Sequence, residues 1–243
     1  MSDNNSQFER VKKLLAANDP EDIPPVTSMD DIASVTFLDF SSNYFDLHYL
    51  DTLCLFHNLK ALAICIRTED LSFLSSFPHL EELFLEYENE TDYLDFKCFA
   101  CLKELRHLYL YGGDISSRNY RNLGALTELK HLRELGLHEF GEVDLAPLAD
   151  MPSLEWFFCG YADRIVHPEA IGRISGLKAL ELTDIEVDNL GFLDQLDSGL
   201  SLTLCGIRSK NVYREEQLNR FRKVDVSESS FADQEWEINL KIE

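Results

Sequence analysis

The feature that most constrains this chain is a recurring pattern, apolar-x-x-apolar-x-apolar. It appears as Leu59/Leu62/Ile64, Leu80/Leu83/Leu85, Leu105/Leu108/Leu110, Leu132/Leu135/Leu137, Leu154/Phe157/Cys159 and Leu177/Leu180/Leu182. Weaker copies flank the run: Ile32/Val35/Phe37 before it, and Gly199/Leu202/Leu204 and Phe221/Val224/Val226 after it. Successive copies begin 27, 21, 25, 27, 22, 23, 22 and 22 residues apart. A repeat of that length limits the chain to stacked units, each of which buries its apolar side against its neighbours. Within each copy the last two apolar residues stand two apart, so a strand turns both to one side of a sheet and the residue between them to the other.

From about residue 32 to residue 231 the sequence resembles the leucine-rich-repeat family. That resemblance implies an α/β solenoid, or horseshoe, with a parallel sheet lining a concave face and helices or turns on the convex side. Between the strands, Asn43–Phe56, Ser116–Leu129 and Asn211–Phe221 carry apolar residues at three- and four-residue intervals and predict helices packed behind the sheet. The chain departs from the family where many repeats place an asparagine or cysteine that bonds neighbouring loops. Those positions hold Arg67, Glu88, Gly113, Phe140, Ala162, Ile185, Ile207 and Ser229, so the loop backbones need other partners.

The ends read as lids. In residues 1–31, Phe8, Val11, Leu14 and Leu15 form one stripe of a short capping helix, which Asn18-Asp19-Pro20 and Pro24-Pro25 terminate. In residues 232–243, Trp236, Ile238, Leu240 and Ile242 alternate with polar residues and predict a capping strand; a strand offered to a partner is the alternative.

With 44 acidic against 22 basic residues, the net charge of −22 repels phosphate backbones and anionic lipid surfaces. Nucleic acid and membrane are thereby disfavoured as partners, although the charge also serves solubility. No basic segment followed by an apolar one opens the sequence, and the expectation is a cytoplasmic protein. The six cysteines are dispersed and read as reduced, mostly buried thiols. Cys98-Phe-Ala-Cys101 has the spacing of a metal or redox pair, but no second pair follows at zinc-ligand spacing, and neither metal nor cofactor is expected. The acidic run Glu86 to Asp92 spaces its carboxylates like a calcium loop, yet Thr91 replaces the required glycine and Lys97 the bidentate glutamate.

The outward residues are the ones free to act. The column between the last two apolar positions runs Ala63, Phe84, Tyr109, Gly136, Phe158, Glu181, Thr203, Asp225, and the next runs Cys65, Glu86, Tyr111, His138, Gly160, Thr183, Cys205, Ser227. Tyr87, His107, Trp156 and Tyr161 lie near them on outward or rim positions. Aromatic side chains dominate interface energetics, so Phe84, Glu86, Tyr87, His107, Tyr109, Tyr111, His138, Trp156, Phe158 and Tyr161 form the candidate partner-binding set. The competing reading has the rings packing across strands solely to stabilise the sheet. The expected function is a non-enzymatic module, monomeric in isolation. It binds a basic protein between aromatic centre and acidic rim, with Glu86, Glu134, Glu155 and Glu181 steering it. A bacterial immunity or inhibitor protein is the sharper version. A substrate-recognition subunit of an enzyme complex and a self-associating structural subunit are the alternatives.

Overall fold

The computed structural model describes residues 2–18, 25–68, 70–88, 93–112, 119–209, 215–227, 230–231 and 234–235. Among them, nine parallel strands form one sheet in chain order: β1 (Phe37–Tyr44), β2 (Ala61–Arg67), β3 (Glu82–Glu88), β4 (His107–Tyr111), β5 (Glu134–His138), β6 (Trp156–Gly160), β7 (Ala179–Thr183), β8 (Ser201–Cys205) and β9 (Lys223–Ser227). The repeat leucines stand opposite one another, as in Leu62↔Leu83, Leu83↔Leu108, Leu108↔Leu135 and Leu135↔Phe157. All point inward and are buried.

The first copy needs a correction. Leu38 and Phe40 of β1 are the inward pair, in register with Leu62 and Ile64, while Phe37 faces out and is 40% exposed. The copy therefore reads Val35/Leu38/Phe40, three residues later than Ile32/Val35/Phe37. Both frames are apolar throughout, and the pattern alone does not separate them.

The segments behind the sheet are also different from the expectation. Instead of α-helices, short 3-10 helices predominate: Ser72–Ser76, Phe96–Cys101, Leu123–Glu128, Ala146–Asp150, Pro168–Arg173 and Leu190–Gln195. The expected helix over Asn43–Phe56 is a 3-10 turn at Leu47–Tyr49 followed by one α-turn at Leu50–Leu53, and in the segment from Asn211 the described helix is Glu215–Leu218. The cause is a spacing of three. Leu71, Leu74, Phe77 and Leu80, like Leu145, Leu148, Met151 and Leu154, recur every third residue and are buried. Three residues per turn align them on one face, and each donates its amide to the carbonyl three back, as in Leu74 to Leu71 (3.1 Å), Phe77 to Leu74 (3.1 Å) and Leu80 to Phe77 (3.2 Å).

A second, narrow sheet closes the core. Glu142–Asp144, Arg164–Val166, Glu186–Val187, Arg208–Ser209 and Ser230–Phe231 pair in parallel, and Gln234–Glu235 adds to the last in antiparallel sense. Val143, Ile165 and Val187 point inward from it. Where an asparagine ladder is missing, backbone bonds join adjacent turns: the amides of Gly112, Glu139, Tyr161 and Asp184 donate to the carbonyls of His138, Gly160, Thr183 and Cys205 at 2.8–3.0 Å. Glu139, Tyr161 and Asp184 adopt left-handed φ of 61°, 53° and 51° in doing so. Beneath that ladder, Phe140, Ala162, Ile185 and Ile207 are buried, so apolar packing occupies the family's asparagine position. At the N-terminal side, α1 (Ser2–Asn18) buries Val11 and Leu14 and packs on the Leu50–Leu53 turn. Trp236, Ile238, Leu240 and Ile242 of the expected capping strand lie outside the described residues.

Candidate functional site

Strand parity delivers rings to the concave surface in three columns, and their size makes them meet between strands. Phe84 on β3 leans on Tyr111 of β4 at 5.1 Å between centroids, and Tyr111 stacks on His138 of β5 at 4.4 Å. His138 stacks in turn on Phe158 of β6 at 5.9 Å, and Tyr161 covers its other side at 4.7 Å. Phe158 lies parallel to Trp156 at 6.0 Å, and Trp156 meets the edge of Tyr109 at 5.8 Å. Six rings on four neighbouring strands thus form one connected bed, with Tyr161 at its margin.

Two of the rings are seated over glycines. A Cβ at Gly136 would stand 2.8 Å from Cδ1 of Tyr109, and one at Gly160 would stand 2.5 Å from Cζ of Phe158. Any side chain there would lift the rings off the sheet. As built, Phe84, Tyr109, Tyr111, His138, Trp156 and Phe158 are each half-buried: each ring packs on its neighbours and keeps part of its surface in water.

Carboxylates fix the orientation of the polar rings. The Tyr109 hydroxyl donates to Glu134, and Trp156 Nε1 donates to Oε1 of Glu181 at 3.0 Å. Burial, reinforced by Glu134, pushes the Tyr109 hydroxyl pKa up, so it stays protonated. Both donors are neutral, so neither brings a positive charge to the acid it binds. His107 sits between Glu82 and Glu134, with Nδ1 3.4 Å from one and Nε2 3.8 Å from the other. His138 is 15% exposed in its side chain, its Nδ1 has no hydrogen-bond partner, and burial lowers its pKa against the pull of Glu139, whose Oε1 lies 3.5 Å away.

Other acids are committed elsewhere. Glu88 is bound by Arg67 at 2.5 Å and by the Tyr44 hydroxyl, and Arg67 lies 4.2 Å over the Tyr44 ring. Glu155, expected to steer a partner, instead pairs with Lys178 at 2.7 Å and Arg133 at 3.6 Å, which lowers its pKa. It belongs to a row of charges just before the strands, in which Lys60 and Arg106 flank Glu81 at 2.9 and 3.3 Å.

The structure brings together Phe84, Tyr109, Tyr111, His138, Trp156, Phe158 and Tyr161, with His107 and Glu86 beside them. Tyr87 is a correction. It follows Leu83 and Leu85 on the inward side of β3 and is 3% exposed, part of the core and not of the face. Phe37, Asp39 and Glu82 were missed. The shifted frame of the first copy hid Phe37 and Asp39; Glu82 shares the column of His107, Glu134 and Trp156, one position before each copy's second apolar residue, but was passed over in it. All six cysteines are free: Cys65 and Cys159 are buried, Cys54, Cys98 and Cys205 half-buried, and Cys101 exposed, contrary to the expectation of mostly buried thiols. Burial pushes the Cys98 thiol up to about 12, while Cys101 Sγ donates to the Cys98 carbonyl at 3.3 Å. Within the acidic run, residues 89–92 lie outside the described residues.

Comparison of the sequence with protein-family models and with curated proteins finds no match. Solved structures do match in shape. An internalin of Listeria monocytogenes (inlF) aligns with a TM-score of 0.67 at 18% identity, covering 91% of this chain and 62% of that one. Internalin C2 of the same organism aligns at 0.64 and 17% identity, covering 92% and 93%. The mouse RP105/MD-1 complex contributes a chain aligned at 0.58 and 20% identity, covering 81% and 43%. The chain thus spans less than two thirds of the internalin inlF and of the mouse chain, and identities this low speak to fold alone.

Proposed function

The chain is a leucine-rich-repeat solenoid, and we propose that it is a binding module that holds another protein on its concave face. The observation that carries this reading is the aromatic bed: six interlocked, half-buried rings, two of them seated over Gly136 and Gly160, bounded by carboxylates. An aromatic surface already fixed by its own packing loses little side-chain entropy when a partner covers it. One of the matching structures is itself a complex with a second protein, RP105 with MD-1.

The partner is basic where it meets the face. Asp39, Glu82, Glu86, Glu134 and Glu181 point outward from the sheet, and Arg67, the cation among β1–β6, is committed to Glu88. Complementary charge accelerates encounter and fixes orientation. The molecule acts as a monomer in the cytoplasm and works by occlusion, covering a basic surface as an inhibitor or immunity protein does. Affinity capture from the native cell, identified by mass spectrometry, supplies the partner; Tyr109→Ala and Trp156→Ala must then weaken the complex while leaving the fold intact. Unchanged affinity in both variants refutes the concave-face reading.

A further inference from the structure

The aromatic bed ends at β3, and a hollow of about 320 Å³ opens beyond it. Its floor is β2, where outward positions carry Ala61 and Ala63. One wall is Phe37 of β1; the other is Phe84 of β3 with Tyr109 behind it. Two carboxylates stand at diagonal corners: Asp39, in register with Ala63, and Glu82, in register with Ala61 from the opposite side. With strands about 4.8 Å apart and about 3.3 Å per residue along each, the two backbone positions stand roughly 12 Å apart across the hollow.

Asp39 is fixed by its own turn, and Glu82 stands at the exposed edge. Oδ1 of Asp39 accepts from the amide and hydroxyl of Ser41 at 2.8 and 2.6 Å. The Glu82 side chain is 58% exposed, with His107 Nδ1 at 3.4 Å. Among the described residues no lysine or arginine pairs with either.

We propose that this hollow is a subsite for an arginine side chain of the bound protein, an inference that rests on the concave-face reading above. An aliphatic stem fits between the alanines and Phe37. The planar guanidinium then lies against the Phe84 ring and donates to the carboxylates on either side. An uncharged side chain of the same size leaves both carboxylates desolvated without a donor. A lysine supplies the charge but not the planar stacking.

The test uses the full chain, labelled with 15N, and three probes: N-acetyl-arginine amide, N-acetyl-citrulline amide, which is nearly isosteric but neutral, and N-acetyl-lysine amide. Titrated to about 50 mM, the arginine probe should shift the amides of Phe37, Ala61, Ala63 and Glu82 in a saturable way, with citrulline at least about ten-fold weaker and lysine between. The double variant Asp39→Asn/Glu82→Gln should abolish the shifts, and Ala63→Leu should do the same by filling the hollow. Absence of saturable shifts, or equal binding of citrulline, overturns the subsite. The two readings fail separately. If ring variants weaken the native complex but the arginine probe does not bind, the subsite alone is wrong. If the probe binds as described and the ring variants leave the native complex unchanged, the concave-face reading falls and takes with it the assignment of the hollow to the bound protein, while the hollow's selectivity for arginine stands.

Discussion

Strands β3–β6 and β7–β9 share one backbone and differ in what they show to solvent. Inward, Leu83/Leu85, Leu108/Leu110 and Leu135/Leu137 in the first group match Leu180/Leu182, Leu202/Leu204 and Val224/Val226 in the second, all buried. Outward, the first group carries the interlocked rings, whereas β7 and β8 carry Ala179, Glu181, Thr183, Ser201, Thr203 and Cys205. Register and hydrogen bonding continue unbroken across the boundary. The sheet therefore holds together without rings, and stabilising it is an insufficient reason for placing six of them on one half. Inward residues build the solenoid; outward residues are left for the binding proposed above.

The sharpest way to break this comparison is to cut into both halves from the inside. Leu108→Ala and Leu202→Ala should each lose about 2–5 kcal/mol of stability in chemical denaturation; a much smaller cost at Leu108 would mean that the rings above it share the structural role. From outside, the halves should separate. Tyr109→Ala and Trp156→Ala should each cost about 2 kcal/mol or more of binding by calorimetry, while Thr203→Ala should stay within about 0.5 kcal/mol.

Charge sharpens the contrast further. Glu86→Lys should slow association several-fold or more at low salt and flatten its salt dependence, as read by stopped flow. Glu88→Lys should act differently, because it breaks the contacts to Arg67 and Tyr44: its main effect is a loss of up to about 1 kcal/mol in stability.

The smallest effect is in pH. Burial holds the pKa of folded His138 below 6.5, so near that pH the unfolded chain binds the proton and the folded chain does not. Stability from this group is complete above about pH 6.5 and declines as pH falls toward the lower folded value. His167, raised by its bond to Asp144, has the opposite slope and is common to both proteins compared. His138→Phe should therefore lose less stability than the parent on going from about pH 7 to about pH 5 in thermal melts.

Much of this was legible in the sequence, for a definite reason. A strand has a period of two, so Leu83 and Leu85 place Phe84 outward without any coordinates. The same parity places Tyr87 inward; counting it with the rim ignored its own strand's alternation. The 3-10 turns were harder to read, because a period of three and a period of 3.6 differ by only about 0.6 position per step. The first repeat was misaligned because Ile32, Val35, Leu38, Phe37 and Phe40 satisfy two frames at once, which concealed Phe37 and Asp39. The glycines under the bed carried no signal of their own: that Gly136 and Gly160 underlie rings depends on how far Tyr109 leans across to the next strand and Phe158 along its own, which no pattern records.

The row of charges before the strands has a consequence for how a partner is turned. Lys60, Arg106, Arg133 and Lys178 outnumber Glu81 and Glu155, and Arg106 and Arg133 stand next to each other because their carbonyl and amide belong to adjacent turns of one ladder. This lip is positive, while the floor beside it is negative. A ligand that was merely a polycation would be drawn to the floor and pushed off by the lip. One with basic residues along one line and acidic residues alongside would fit both, in a single rotational setting and not when turned end for end. If the concave face takes a partner as proposed, the two parallel stripes of opposite sign would work like a keyed connector and admit the plug in only one way round.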